Sequence, residues 1–352
     1  MWTPQPHRRV PVVILCLLSA CSLCPGCEPA ASPAPRLIAR SHATMGAEVR
    51  VSIWTADEAG AVEATSAVFA EFDRLDALLS VWKPGSDVLR INAAAGGAPV
   101  HVSRDTLEVV RAAQETSELT AGKFDITFGA LADIWRFDHD QDNRVPTEAE
   151  IAARLPLVDF HAVHVDDEAG TIAIARPGVR MHLGGIGKGY AVDRGIAILR
   201  ARGFVDFLIQ SGGDLYAAGQ PGERPWKLGI NDPRGAPNDS FATLELRDRT
   251  FSTSGDYERS FVEDGVRYHH LLDPDLGRPA RGCRSVTIVA PNATRADGLS
   301  TGVFILGPEA GMALVERLPD VEAVIVTGDN RVLVSSGLQG KLSVLHPPTD
   351  AP

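Results

Sequence analysis

Met181-His182-Leu183-Gly184-Gly185-Ile186-Gly187-Lys188-Gly189-Tyr190-Ala191-Val192-Asp193 is the stretch on which the reading of this chain turns. Its glycines crowd the backbone just before Ala191, Ile196 and Leu199 begin an apolar spacing of helical period. Glycine lets a chain pass close to a ligand, and a helix start offers unpaired N–H groups that favour phosphate oxygens. Lys188 adds a cation, so the segment reads as a phosphate-binding turn entering a helix. Two common phosphate motifs do not fit the letters. A Walker loop requires Gly where His182 stands and Ser or Thr where Gly189 stands. The dinucleotide fingerprint G-x-G-x-x-G fails at its last interval, because Gly185, Gly187 and Gly189 are evenly spaced. A tight turn without a ligand is the remaining alternative.

Around this turn the chain alternates between strand and helix signals. Val49, Val51 and Ile53 alternate as a strand. Thr55 and Glu58 are spaced as a capping box for a helix with Val62, Phe69, Phe72, Leu75 and Leu79 on one face. Ser103 opens a second helix that runs through Leu119 and stops at Gly122. Val163–Val165 and Thr171–Ala175 read as a hairpin. Lys188–Arg202 is a helix ended by Gly203, with a strand over Phe204–Ile209. Further strands are expected at Trp226–Ile230, Phe241–Leu246, Ser285–Ala290, Ala323–Thr327 and Arg331–Val334. Strands outnumber helices and several pairs look like hairpins, which favours an α+β fold over a doubly wound parallel sheet. No linker or repeat interrupts the body from Arg36 onward, roughly 315 residues, enough for one large domain or two small ones.

The first residues read as an export signal. Arg8 and Arg9 precede an apolar run from Val10 to Leu18, too short for a stable bilayer span. Leu18-Ser19-Ala20-Cys21 resembles a bacterial lipobox, in which cleavage leaves a lipidated cysteine. Residues 1–20 are then the signal peptide and 21–35 a tether, with Cys24 and Cys27 in it as tether cysteines. Glu28 to Pro35 form a Pro/Ala/Ser-rich spacer of about 25 Å, at about 3.1 Å per residue. The body occupies 36–346 and residues 347–352 a short tail. These features predict an exported lipoprotein on the periplasmic side of a membrane, anchored through Cys21. Removing residues 1–20 takes away Arg8 and Arg9 and no acid, which moves the net charge from −11 to −13. No basic cluster interleaved with aromatics occurs, so nucleic acid is not expected as a partner.

Downstream letters make the pattern specific. Phe251–Tyr257 (FSTSGDY), Tyr268–Pro279 (YHHLLDPDLGRP), Ser285–Pro291 (SVTIVAP) and Ala296–Gly302 (ADGLSTG) follow the glycine turn and Ser211–Asp214 (SGGD). Upstream lie Met45-Gly46, Ser80–Asp87 (SVWKPGSD), Gly122–Thr127 (GKFDIT) and Trp135. In this order the motifs resemble the ApbE family of FAD:protein FMN transferases, over nearly all of residues 42–335. The resemblance implies an α+β, T-fold-like architecture of mostly antiparallel sheets with packed helices and a flavin cleft. It also implies magnesium-dependent cleavage of the FAD pyrophosphate, with FMN passing to a Thr or Ser hydroxyl of a partner protein and AMP released. Typical acceptors are subunits of electron-transfer complexes.

That chemistry needs charge neutralisation at the phosphates and a base near the hydroxyl. Asp297 and Thr301, four apart at an expected helix start, present two hard oxygens for Mg²⁺. By resemblance the Gly185 carbonyl joins them, and Ser300 is a further ligand candidate. His270, in His270-Leu271-Leu272-Asp273-Pro274, is the candidate base, because its ordinary pKa lies near neutrality. Asp273 is expected to orient the loop or the histidine. The resemblance places Met45 and Trp82 against rings, the latter where the family often has tyrosine. It places Lys123, Phe124 and Asp125 along the nucleotide, Lys188 near phosphate and Leu272 on the pocket wall. His182 departs from the family, which usually has Asp there, and predicts weaker or differently pH-dependent FAD binding. FAD hydrolysis to FMN and AMP, or flavin storage by a tethered lipoprotein, are the alternative functions. Cys283 reads as a lone structural thiol.

Overall fold

Residues 34–351 are described in the computed structural model. The signal segment and the tether, with Cys21, Cys24 and Cys27, lie outside them. An eight-stranded sheet forms the frame, in the spatial order Arg36–Thr44, Ala47–Thr55, Phe207–Ser211, Asp214–Ala218, Arg249–Gly255, Cys283–Ala290, Glu322–Thr327 and Val332–Val334. Every neighbouring pair in it is antiparallel. This is the α+β architecture expected.

Period-two alternation sends side chains to both faces of the sheet, where they join three core clusters. Val49, Val51, Ile53, Phe207 and Ile209 pack against the Glu58–Leu79 and Gly187–Ala201 helices. Val286, Ile288 and Ile325 pack on the Ala293–Leu306 helix through Leu299, Val303 and Phe304. On the opposite face Leu215, Ala217, Phe251, Val289 and Val324 meet a small sheet containing Trp226–Asn231 and Ser240–Leu246. The strands Asp214–Ala218, Arg249–Gly255, Cys283–Ala290 and Glu322–Thr327 are therefore covered on both sides.

Several element boundaries differ from expectation. Asp57, not Thr55, caps the first long helix, accepting from the Gly60 N–H at 2.9 Å. Thr55 is still the last residue of its strand, so the cap falls two residues later. Val68 joins Phe72, Leu75 and Leu79 in the core, whereas Val62 and Phe69 are only half-buried at the margin. The strand expected from Phe204 begins at Phe207, because the Phe204 N–H still donates to Leu199 and closes the preceding helix. Residues of the C-terminal tail are tied to the body: Thr349 donates to Asp232 from both its N–H and its hydroxyl. Cys283 is buried and unpaired, and burial pushes its thiol up to about 12, as suits a structural residue.

Candidate active site

The glycine turn does enter a helix, Gly187–Ala201, and it is fixed from outside. Asn92 bonds both backbone groups of Met181, accepting from its N–H at 2.7 Å and donating to its carbonyl at 2.9 Å. At Gly189 a Cβ would lie 2.3 Å from the Ala293 carbonyl oxygen and 2.7 Å from Asp297 Cβ, so only glycine allows this approach of two helices. Asp193, at the far end of the opening stretch, accepts from the N–H groups of Ala293 and Thr294 at the start of the Ala293–Leu306 helix. Asn292 is the N-cap of that helix, so Asp297 lies in its second turn rather than at its start.

Asp297 and Thr301 meet the turn along one side of a cleft of about 830 Å³. The Gly189 N–H, an unpaired donor of the helix's first turn, donates to Asp297 Oδ2 at 2.9 Å. Among the described residues no backbone donor reaches the Gly185 carbonyl oxygen. A Cβ on Gly185 would lie 3.5 Å from Thr301 Oγ1, which measures how closely the two residues approach. Ser254 completes the hydroxyl group, 2.8 Å from Ser300 and 3.2 Å from Thr301. Ser300 is turned inward: its hydroxyl donates to the Asp297 carbonyl, and the residue is absent from the cleft lining. It is not placed as a ligand.

Lys188 stands over the carboxylates, its ammonium 3.2 Å from Asp214 and 3.9 Å from Asp297. Burial disfavours its charge, but the two acids outweigh burial and hold it protonated. Burial and the neighbouring Asp214 push Asp297 up to about 7, against the pull of Lys188 and the Gly189 N–H. Two buried carboxylates sharing one ammonium leave a local excess of negative charge. With the hydroxyls and the Gly185 carbonyl, the donors are hard oxygens, a set that fits a magnesium ion.

Arg259 and His270 line the same cleft, beside Asp138 and Glu258. The ribbon of Ser260–Glu263 and Val266–His269 projects beside the cleft, with Arg259 and His270 flanking its base. Phe261 and Tyr268 of the ribbon stack with each other and with Phe137 and Trp135, whose indole N–H donates to Gly277 at 2.8 Å. The two adjacent histidines separate cleanly. His269 is structural, bonded to the Ala280 carbonyl and the Leu271 N–H. His270 lines the cleft, and its buried Nδ1 has no partner among the described residues. Burial, then Arg259, His269 and Lys188, push His270 down to about 3, so the ring is a free base at neutral pH.

A second space of about 400 Å³ adjoins the first, and His182, Lys188, Trp82 and Arg259 line both. Met45 lines only the smaller space, in the two-residue turn Met45-Gly46, where both residues have positive φ. Trp82 is half exposed at the mouth, edge-on to His139 with ring centroids 4.4 Å apart. Lys123, Phe124, Asp125 and Leu272 line the larger space. Lys123 pairs with Asp273 at 2.7 Å, so Asp273 orders its own loop rather than His270. Both Asp125 oxygens accept from protein donors, Thr127 and Phe160, so its carboxylate is committed to holding the loop. His182 Nδ1 accepts from the Gly184 N–H at 3.0 Å, and burial, against Asp138 and with help from Arg259 and Lys188, pushes the ring down to about 4. A protonated His182 at phosphate is therefore not what the fold provides near neutral pH.

Arg259 and the charge partner Asp214 were not singled out by sequence reasoning. Asp214 stood in a quoted motif, but only pairing of its strand with Arg249–Gly255 and packing of the Lys188 helix reveal its role.

Comparison with known proteins follows the same lines. The ApbE family model matches residues 45–325. An FAD:protein FMN transferase of Treponema pallidum is 32% identical over 351 residues, covering 95% of this chain and 95% of that protein. One of Klebsiella pneumoniae is 35% identical over 309 residues, covering 86% and 88%. The crystal structure of the ApbE protein of Thermotoga maritima superposes with a TM-score of 0.80 at 34% identity, covering 87% of this chain and 99% of that one. The flavin transferase ApbE of Vibrio cholerae gives 0.78 at 27% identity, with the same coverage.

Proposed function

The chain belongs to the ApbE family, and on that footing we propose that it transfers FMN from FAD to a Thr or Ser hydroxyl of a partner protein. The observation that carries this reading is one cleft that holds both a set of hard oxygens and a partly free guanidinium. Asp297, Asp214 and Thr301 are the oxygens that would draw a cation, and Arg259 offers donors to an anion. A pyrophosphate bridging two ring systems suits the two joined spaces, whose shared boundary carries Lys188 and Arg259.

In this reading Asp297, Thr301 and the Gly185 carbonyl hold Mg²⁺, which supplies charge neutralisation at the phosphates when bound. Lys188 adds a cation beside them. Met45 and Trp82 take a ring in the smaller space, while Phe124 and Leu272 line the larger. The acceptor oxygen forms a bond to the FMN phosphorus as the bond from that phosphorus to the bridging oxygen breaks, and AMP departs with that oxygen. His270 takes the hydroxyl proton. Its low basicity in the free enzyme rises when a dianionic pyrophosphate enters beside it, since a nearby anion favours the imidazolium. The partner is an acceptor carrying a Thr/Ser flavinylation site, of the kind found in electron-transfer complexes.

The lipobox supports a lipid anchor at Cys21 and a periplasmic location, with residues 21–35 as tether. No helix among the described residues is long and apolar enough to cross a membrane. Incubating the soluble chain with FAD and Mg²⁺ and assaying AMP tests the chemistry: AMP formation that EDTA abolishes is expected, and intact bound FAD would leave only a flavin-binding role.

A further inference from the structure

We infer that Arg259 is the guanidinium clamp on the FAD pyrophosphate and that it is built to act in register with His270; this rests on the FAD reading above. Arg259 lines both spaces of the cleft, and its side chain is 39% exposed. Only its Nη1 is engaged among the described residues, with Asp138 at 2.6 Å. Nη2 and Nε keep their N–H donors for a ligand. Gly46 leaves room for the group: a Cβ there would lie 3.4 Å from Nη2.

Charge at the junction makes the assignment. Lys188 already faces Asp214 and Asp297, so its ammonium is largely compensated before any anion arrives. The other cations along the larger space are paired too, Lys123 with Asp273 and Asp275, Arg136 with Asp142, and Arg180 with Asp133. Arg180 also keeps unused donors but lines only the larger space, whereas Arg259 presents its unused donors where the two spaces join and a pyrophosphate would lie, and such a fork matches phosphate oxygens two at a time. Its positive field already reaches His182, Lys188 and His270.

The ribbon ties this clamp to the base. The Arg259 carbonyl accepts from the His270 N–H at 3.2 Å, closing the ribbon whose first strand begins at Ser260 and whose second ends at His269. Arg259 and His270 are therefore fixed to each other across one backbone pair.

Flavin fluorescence titrations of the wild-type chain, Arg259→Gln and Arg259→Lys with FAD and with riboflavin, without added divalent ions, test this. Riboflavin has the ring but no phosphate. Arg259→Gln should weaken FAD by about 10–100-fold, the range for a lost charge-assisted bond, and change riboflavin by less than about twofold. Arg259→Lys should fall between, keeping charge but not the fork. Retained riboflavin binding also shows that the variant is folded. Equal FAD affinity in wild type and Arg259→Gln would overturn the inference alone, as would equal weakening of both flavins, which marks a structural role. A wild-type chain that binds neither flavin would overturn the FAD reading and this inference with it.

Discussion

Burial moves the pKa values of Asp297 and His270, on the two sides of the cleft chemistry, in opposite directions. On one side the carboxyl of Asp297 is pushed up to about 7 beside Asp214. On the other, the imidazole of His270 is pushed down to about 3 beside Arg259. Burial always disfavours the charged form, so an acid and a base both move toward neutrality. What differs is the neighbour: Asp214 beside Asp297, and Arg259, itself paired with Asp138, beside His270. The cleft is thus prepared for a metal cation at Asp297 and a phosphate anion at Arg259.

The sharpest way to break this contrast is Asp297→Asn. It removes a charge from the metal-seeking oxygens and should lower magnesium-dependent AMP release on the order of 10³-fold. AMP release at the wild-type rate would refute the metal assignment. His270→Ala should cost about 10²–10³-fold in transfer while leaving FAD affinity nearly unchanged, because a base acts on the acceptor proton. A loss confined to FAD binding would make His270 a binding residue instead.

Smaller effects concern pH. His182, His269 and His270 are all held below 6.5 in the fold, at about 4, about 4 and about 3. Between these values and 6.5 the unfolded chain binds protons that the folded chain does not, so their contribution is intact above 6.5 and is lost as pH falls. Asp297 works the other way, since its raised pKa makes the fold less stable as pH rises from about 4 toward 7. Burial also raises Asp125, Asp193 and Glu258, so the prediction is comparative: in urea titrations of the metal-free protein, Asp297→Asn should lose more stability between pH 7 and pH 5 than wild type does. Equal midpoint shifts in the two proteins would contradict the raised Asp297. The smallest effect is at His182: a ring neutral down to about 4 predicts that His182→Gln leaves the pH dependence of FAD affinity from 6 to 8 as it is in wild type, and a changed dependence in that variant would show the ring titrating.

The sequence disclosed local features well and cross-chain ones poorly. The glycine turn, Ser103 as a cap and the Val163–Ile174 hairpin are short-range features, and each appears where its letters put it. Arg249–Gly255 was missed as a strand because its buried face is polar: Thr250 donates to the Leu215 carbonyl and Ser252 to Asp214. A hydrophobic period cannot report such a strand. Arg36–Thr44 was missed for the opposite reason, being an edge strand with mostly exposed side chains. In the site, motif residues such as His270, Asp297 and Thr301 could be singled out from letters. Asp214 as the partner of Lys188, and Arg259 at the boundary of two spaces, depend on segments far apart in the chain.

One measurement bears most directly on the central claim. A soluble chain beginning near Ala34 is incubated with FAD, Mg²⁺ and a candidate acceptor domain, with and without EDTA, while acceptor mass and AMP are followed together. The account predicts a magnesium-dependent gain of one FMN on a Thr or Ser of the acceptor, matched by AMP. AMP and free FMN with an unmodified acceptor, across domains that a related transferase does flavinylate, would contradict it and leave a hydrolase.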